Sequence, residues 1–436
     1  MLRGEAIMGD DEVVITGTGV VSPLGRGTEV LWSGLLAGAT GIRPITHFDA
    51  SDLATRFAGE VDDATCADVL PRRVTRRLDR SAVMALVAAT EALAQARLDT
   101  RESGAGSVAP ERVATCLGTS SGPLQHHDDV AGAFADGGPE ALRRRYPLAS
   151  STTSPSIATS EVARHFDLRG PSSTVVAECA SGALAVGTAL MLLRAGAADV
   201  VVCGGVDATV TARSLVEMSV VGALSRRNDD PGAACRPFDR DRDGFVLGEG
   251  AAVLVLERAS HARSRGVPAL GVLHGFGAAT DTAHATAPAP DGDGAARALR
   301  AALDDAGRPA ADVGVVSAHG TGTELNDSAE AAALLRVLGP TVRDVPVHSI
   351  KPATGHMIAA SGAAEVIVLA LTLANGLVPA TANCPSPAFD HLDVVRDAPR
   401  PTAADLGVSL SFGFGGQSIA LVVGAPDRSG PAGGDR

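Results

Sequence analysis

The stretch VVAECASGALAVGTALMLL, residues 175–193, decides how this chain is read. A β-branched run ends near Ala177, and an Ala/Leu-rich run with helical character begins at Ala180. Cys179 stands at the junction, followed by the small residues Ala180, Ser181 and Gly182. A cysteine in the first turn of a helix meets free amide groups and the positive end of the helix dipole, and both favour the thiolate. Strand, sharp turn and helix make a nucleophile elbow with sulfur in place of oxygen. A buried cysteine closing a strand would fit the same residues.

Outward from this stretch, apolar β-branched runs recur at 12–21, 112–118, 199–204, 251–257, 269–276, 313–318, 345–350 and 418–423. Several are continuous, as in strands covered on both faces. Helical patterns lie between them at 80–97, 180–195, 295–306, 328–338 and 359–375. The alternation predicts an α/β fold with mostly parallel sheets and helical layers. ITGTGVVSPLG (15–25) and LHGFGAATD (273–281) echo each other, each read as a strand running through a Gly-spaced turn. They open stretches of similar element order, so two duplicated halves are expected at 11–265 and 267–424. The Gly/Pro/charged segments 1–10 and 425–436 read as flexible tails.

The bulk properties exclude several functions. A net charge of −13 over 436 residues argues against a general nucleic-acid binder. Aromatic residues make up 3%, too few for base stacking to be a main business. No apolar run approaches the ~18–20 residues of a membrane span, and residues 1–12 lack the apolar core of a signal peptide. A cytoplasmic protein is expected, with its six cysteines reduced and no CxxC pair among them. One further fact invites a reason. Of the 37 Lys and Arg residues, only Lys351 is a lysine. Arginine cannot replace the compact, tunable ammonium where size matters.

Three more segments could carry chemistry. In VVSAHGTGTELNDSAEAAAL (315–334), His319 follows a strand, Gly320–Thr323 make a tight turn, and a helix is expected from Asn326 or Asp327 with Glu330 on it. A histidine at the carboxyl end of a strand lies in the crevice zone of an α/β sheet; a loop histidine capping its own turn is the plainer alternative. In VHSIKPATGHMIAASGAAEV (347–366), Lys351 and His356 stand between a strand and an Ala/Gly-rich helix. In LSFGFGGQSIALVV (410–423), the Phe412–Gly416 loop joins two strands, and its glycines let backbone amides approach a substrate. The cluster His126-His127-Asp128-Asp129 lacks the spaced partners of a metal site, so none is expected.

Together, PSSTVVAECASGA, the HGTGT turn, KPATGH and GFGG resemble the β-ketoacyl synthase family, elongating type, of fatty-acid or type II polyketide synthesis. The resemblance extends to VVITGTGVVSPLG (13–25), GTSSG (118–122), RPFDRDRDGFVLGEGAAVLVLE (236–257) and TAPAPDG (286–292), in the family's order over about 13–424. It implies the thiolase fold, duplicated α/β halves in five α-β-α-β-α layers, normally dimeric. It implies that Cys179 is acylated from an acyl carrier protein and that malonyl-carrier is then decarboxylated and condensed onto the acyl group. His319 and His356 would hydrogen-bond the enolate oxygen. The amides of Cys179 and Phe414 would hold the second oxyanion, with Phe414 and Phe412 as the gate. Lys351 would contact Glu330 and tune His319, and Thr321 and Thr323 would line the phosphopantetheine arm. No cofactor is implied beyond that arm. The partner would be a second copy or a chain-length-factor subunit.

Two places depart from the family's pattern, one a single residue and one a pair. Glu178 replaces a small residue, and strand alternation turns it away from Cys179. Gln417-Ser418 stands where fatty-acid enzymes commonly carry Thr-Asn, as in discrete polyketide synthases. Acidic carriers would suit Arg72, Arg73, Arg76 and Arg77, with Arg80 beside them, as a docking patch on an acidic enzyme; a solvated helical face fits them equally. Other readings are a CoA-dependent thiolase-type enzyme, a non-catalytic chain-length-factor-like subunit, and a papain-like hydrolase. They are disfavoured, respectively, by a Gly-rich loop without cysteine, by the complete Cys-His-His set, and by the lack of a CGSCW-like sequence.

Overall fold

In the computed structural model, which describes residues 12–100 and 108–426, the expected alternation resolves into one mixed sheet. Its main strands are β1 Val13–Ser22, β2 Val113–Gly118, β3 Ser172–Val175, β4 Val200–Asp207, β5 Gly250–Arg258, β6 Gly271–Thr280, β7 Val315–Ser317, β8 Pro346–His348, β9 Asp393–Val394, β10 Leu406–Gly413 and β11 Gln417–Gly424. Their order across the sheet is β9-β8-β7-β10-β11-β6-β1-β5-β4-β2-β3. The helices that position the site are α1 Arg80–Gln95, α2 Ser181–Arg194, α3 Asp293–Ala306, α4 Glu324–Leu338 and α5 Ala359–Asn375.

The sheet is not mostly parallel, contrary to expectation. Its central strands, from β10 to β4, pair antiparallel, and only the two flanks are parallel. Chain connections account for this. The short Phe414–Gly416 turn between β10 and β11 can only return antiparallel, whereas the flanking strands are joined by helical crossovers. The pairing order outward from β1 (β5, β4, β2, β3) repeats outward from β6 (β11, β10, β7, β8), with the same succession of antiparallel and parallel pairs.

Helices α2 and α5 pack on each other between the two halves of the sheet, α1 covers β1 and β5, and α3 covers β6 and β11 with α4 against it. This is the five-layer order that the resemblance implies. The central α5 is buried along nearly its whole length, as expected for a helix apolar all round.

The paired glycines of the internal echo serve a different purpose from the one expected. They lie inside β1 and β6, not in turns. A Cβ on Gly17 or Gly19 would stand 2.1 or 2.0 Å from Ala92 O or Ala88 O of α1. Gly275 and Gly277 admit Ala302 O and Ala298 O of α3 at 2.3 and 2.1 Å in the same way. The repeat therefore records close approach of a helix backbone to a strand.

Helices Leu124–Arg145 and Ile157–Phe166 were not legible as periodic segments. The first buries only Leu124 and Ala133 and breaks at Gly138, so it has no apolar stripe to read. The tails expected at 1–10 and 425–436 lie outside the described residues, apart from residues 425 and 426. No helix among the described residues is long and apolar enough to cross a membrane.

Candidate active site

Cys179 sits in the single turn Glu178–Ala180 that leads into α2. Glycines make this approach possible. A Cβ on Gly182 would stand 2.2 Å from Ala359 O, so the N-terminal ends of α2 and α5 meet. Both approaches carry strain: Glu178, which opens the turn before α2, has φ 49°, and Ile358, the residue before α5, has φ 48°. A left-handed non-glycine residue costs about 1–3 kcal/mol and persists only where its surroundings enforce it.

At Cys179 the helix-end amides and dipole are opposed. Burial first, then the Glu178 carboxylate, push the Cys179 thiol up to about 12, with Lys351 pulling the other way. Glu178 is not turned away by strand alternation, because it lies in the turn rather than in β3. It is half-buried, which raises its own pKa, and it does not line the cavity.

That cavity, about 360 Å³, is lined by Cys179, His319, His356, Thr321, Phe412 and Phe414 among others. His319 follows β7, and His356 lies between β8 and α5. Their rings meet edge to face, with centroids 5.2 Å apart. Phe412 packs on His319 at 5.4 Å and Phe245 on His356 at 5.3 Å. Burial first, then the Lys351 charge, hold both imidazoles well below the ordinary histidine range, so both are neutral.

Lys351 is fully buried. Its ammonium donates to the His319 carbonyl, lies 3.4 Å from His319 Nδ1, and pairs with Glu365 Oε1 at 2.5 Å. An ammonium can only donate, so Nδ1 accepts, and the His319 proton sits on Nε2. Nδ1 of His356 faces Ser361 Oγ at 3.0 Å, which leaves Nε2 without a protein partner.

The expected Lys351–Glu330 contact is not made. Glu330 instead accepts the amides of His319 at 2.7 Å and Gly320 at 2.8 Å, fixing the turn from below. Its burial pushes its pKa up to about 8. The lysine's partner is Glu365. It is the one charged residue within AASGAAEVIVLALTLAN (359–375), a signal that could have found it. Asp207 was missed as well. It accepts from Thr119 Oγ1, Ser120 N and Ala359 N, tying the GTSSG segment to the start of α5.

Thr321 and Thr323 line the cavity with their hydroxyls 3.0 Å apart. Thr323 also caps α4, which begins at Glu324, earlier than expected. Gly413 presses the Phe412–Gly416 loop onto the nucleophile turn: a Cβ there would stand 2.4 Å from Ala177 O and 3.3 Å from Cys179 N.

The arginines lie away from the cavity. Arg72, Arg73 and Arg76 are exposed, and Arg77 pairs with Glu161 at 3.0 Å. Arg80 does not join them, because it turns inward to buried Glu249 and to Asp63. His126 bonds Thr152 Oγ1, and Asp128 pairs with Arg213. No group of three or more His, Cys, Asp or Glu side chains among the described residues could hold a metal ion.

The family models for the β-ketoacyl synthase N-terminal and C-terminal domains match residues 10–262 and 270–385. The chain is 38% identical to 3-oxoacyl-[acyl-carrier-protein] synthase 2 of Synechocystis sp., over 94% of this chain and 97% of that protein. It is 40% identical to the tetracenomycin polyketide synthase ketoacyl synthase alpha subunit of Streptomyces glaucescens, over 96% and 98%. Among solved structures it superposes on the ishigamide ketosynthase/chain length factor with a TM-score of 0.86 at 32% identity, covering 96% of this chain and 100% of that one. A type II polyketide ketosynthase in complex with its acyl-carrier protein gives 0.87 at 28%, covering 95% and 99%. With both family models matched along the chain and these relatives aligned over nearly its whole length, the chain belongs to the β-ketoacyl synthase family.

Proposed function

We propose that this protein condenses an acyl chain held on Cys179 with a malonyl group carried by an acyl carrier protein, giving a β-ketoacyl thioester two carbons longer. The observation that carries the reading is the meeting of Cys179, His319 and His356 at one cavity, with Lys351 behind His319.

The resting thiol is neutral. Its sulfur attacks the acyl thioester carbonyl, and its proton leaves with the carrier's pantetheine thiol. The amide of Cys179 and that of Phe414, whose loop Gly413 presses onto the nucleophile turn, receive the developing oxyanion. The malonyl thioester then enters along Thr321 and Thr323. Loss of CO2 leaves its bonding pair in an enolate, and Nε2–H of His319 and of His356 hydrogen-bond the enolate oxygen. The carbanion attacks the acyl carbonyl, and the Cys179 sulfur departs as a thiolate that takes its proton from solvent. Each oxyanion donor is worth about 3–4 kcal/mol.

No cofactor beyond the carrier's phosphopantetheine is needed. Arg72, Arg73, Arg76 and Arg77 form the docking patch for an acidic carrier. The working unit is a dimer with a second copy or a chain-length-factor subunit, acting in the cytoplasm in a discrete polyketide or fatty-acid pathway. The chain divides into halves 11–265 and 267–424, which the repeated pairing order supports.

The test is mass spectrometry after incubation with acyl- and malonyl-carrier protein. An acyl adduct on Cys179 and a condensed product are expected; a folded protein without the adduct overturns the reading.

A further inference from the structure

Behind the catalytic set lies a row of polar side chains that the reaction above does not use. Ser317 on β7 stands in register with His348 on β8 and with Ser409 on β10. Register partners share a face of the sheet. That face is the one covered by α5. A Cβ on Gly407 would touch Leu369 of α5, and one on Gly362 of α5 would touch Ser411 Oγ. Glu365 lies between Gly362 and Leu369 along α5, as Ser409 lies between Ser411 and Gly407 along β10. Glu365 therefore sits over the row.

His348 is fully buried, and both its ring nitrogens lack a protein partner; so do Ser317 Oγ, Ser409 Oγ and Glu365 Oε2. Buried polar groups are rarely left unpaired, and such convergence on one face signals a shared network. The spacing says what kind. Adjacent strands lie about 4.8 Å apart. This exceeds a direct hydroxyl bond of about 2.8 Å, but two such bonds meeting at one oxygen span about 4.6 Å.

We propose that His348 is a positioning residue. Through water-bridged hydroxyls of Ser317 and Ser409 it delivers a hydrogen bond to the free oxygen of Glu365, keeping that carboxylate ionised and aimed at Lys351. The inference rests on the condensation reading and deepens it: the row decides how firmly Glu365 holds Lys351 in place against His319. Burial holds the His348 imidazole down at about 4, so it is neutral and offers both a donor and an acceptor. The charged group paired with Glu365 is Lys351, with His319 beyond the lysine; β7 and β10 present hydroxyls on this face, and His348 stands at the far end of the row.

The full-length chain is assayed with acyl- and malonyl-carrier protein. In His348→Leu, acyl transfer to Cys179 is retained, while kcat for condensation falls at least about tenfold with KM for malonyl-carrier unchanged. Glu365, short of a donor, takes a proton more readily, so the acid limb of the condensation profile moves up by about one pH unit. His348→Gln, with donor and acceptor retained, restores both. Ser317→Ala, which removes only the middle hydroxyl, moves both in the direction of His348→Leu. An unchanged rate and pH profile in His348→Leu overturns the inference, and so does equal loss of acyl transfer and condensation. If the unsubstituted chain takes no acyl group, the condensation reading fails instead.

Discussion

Removing the ammonium of Lys351 separates its structural role from its catalytic one. Lys351 and Glu365 are both fully buried and paired, so Lys351→Met leaves a carboxylate in the core without its cation. Breaking a buried pair from one side costs about 3–5 kcal/mol. The cost depends on pH with a definite sign. Burial already raises the Glu365 pKa, and Lys351 is what lowers it. Without the lysine, the folded-state pKa rises further above that of the unfolded chain, so the folded protein holds its proton to higher pH. The variant therefore loses stability as pH climbs, and is closest to the parent below the unfolded carboxylate pKa of about 4.3. The double variant Lys351→Met/Glu365→Gln removes both charges and should regain most of the stability. It should not regain condensation. The proton on His319 Nε2 is assigned by the contact of Lys351 with Nδ1, and losing one oxyanion donor costs about 10²–10³-fold. Urea midpoints at pH 5 and pH 8, read beside acyl transfer and condensation rates, check each part. Near-parental condensation in the double variant would refute the reasoning, as would a Lys351→Met no less stable at pH 8 than at pH 5.

Gly413→Ala should fold yet lose acyl transfer by about 100-fold, because its Cβ would stand 2.4 Å from Ala177 O and displace the nucleophile turn; the rate of adduct formation on Cys179 measures this. Glu330, pushed up to about 8 by burial, destabilises the fold as pH climbs from the unfolded carboxylate range through 8. Glu330→Gln should remove that slope from a stability–pH curve, and an unaltered slope would assign it elsewhere. Arg76→Glu should raise KM for carrier-bound substrate while leaving stability unchanged, since Arg76 is exposed. Arg80→Ala should do the reverse, costing about 3 kcal/mol by leaving buried Glu249 without its cation.

Most of the site was legible before any coordinates, because its residues stand where strands pass into turns and helices. Cys179 and His319 were read at strand ends with small residues after them, Lys351 as the sole lysine at the end of another strand, and His356 just before an Ala/Gly-rich helix. Glu365, Ser361 and Asp207 were not, because they act from inside regular elements, Asp207 on groups 88 and 152 residues away. The Lys351–Glu330 pairing was wrong for a related reason. Glu330 faces the amides of its own turn, and only the crossing of α5 behind β7 and β10 brings Glu365 to the ammonium. The turn at Glu178 also resisted reading, since a left-handed glutamate ends the strand alternation from which its direction was inferred.

The solitary lysine, the strand-end placement of Cys179 and His319 and the α/β alternation follow from residue order, because periodicity and strand-end position are local properties, while the Cys-His-His set was implied by the family resemblance. Which strands run antiparallel, which carboxylate meets Lys351, and whether the thiol rests protonated depend on burial and on neighbours far apart in the chain. Desolvation grows with the apolar mass packed around a charge, and that mass exists only once the layers have closed.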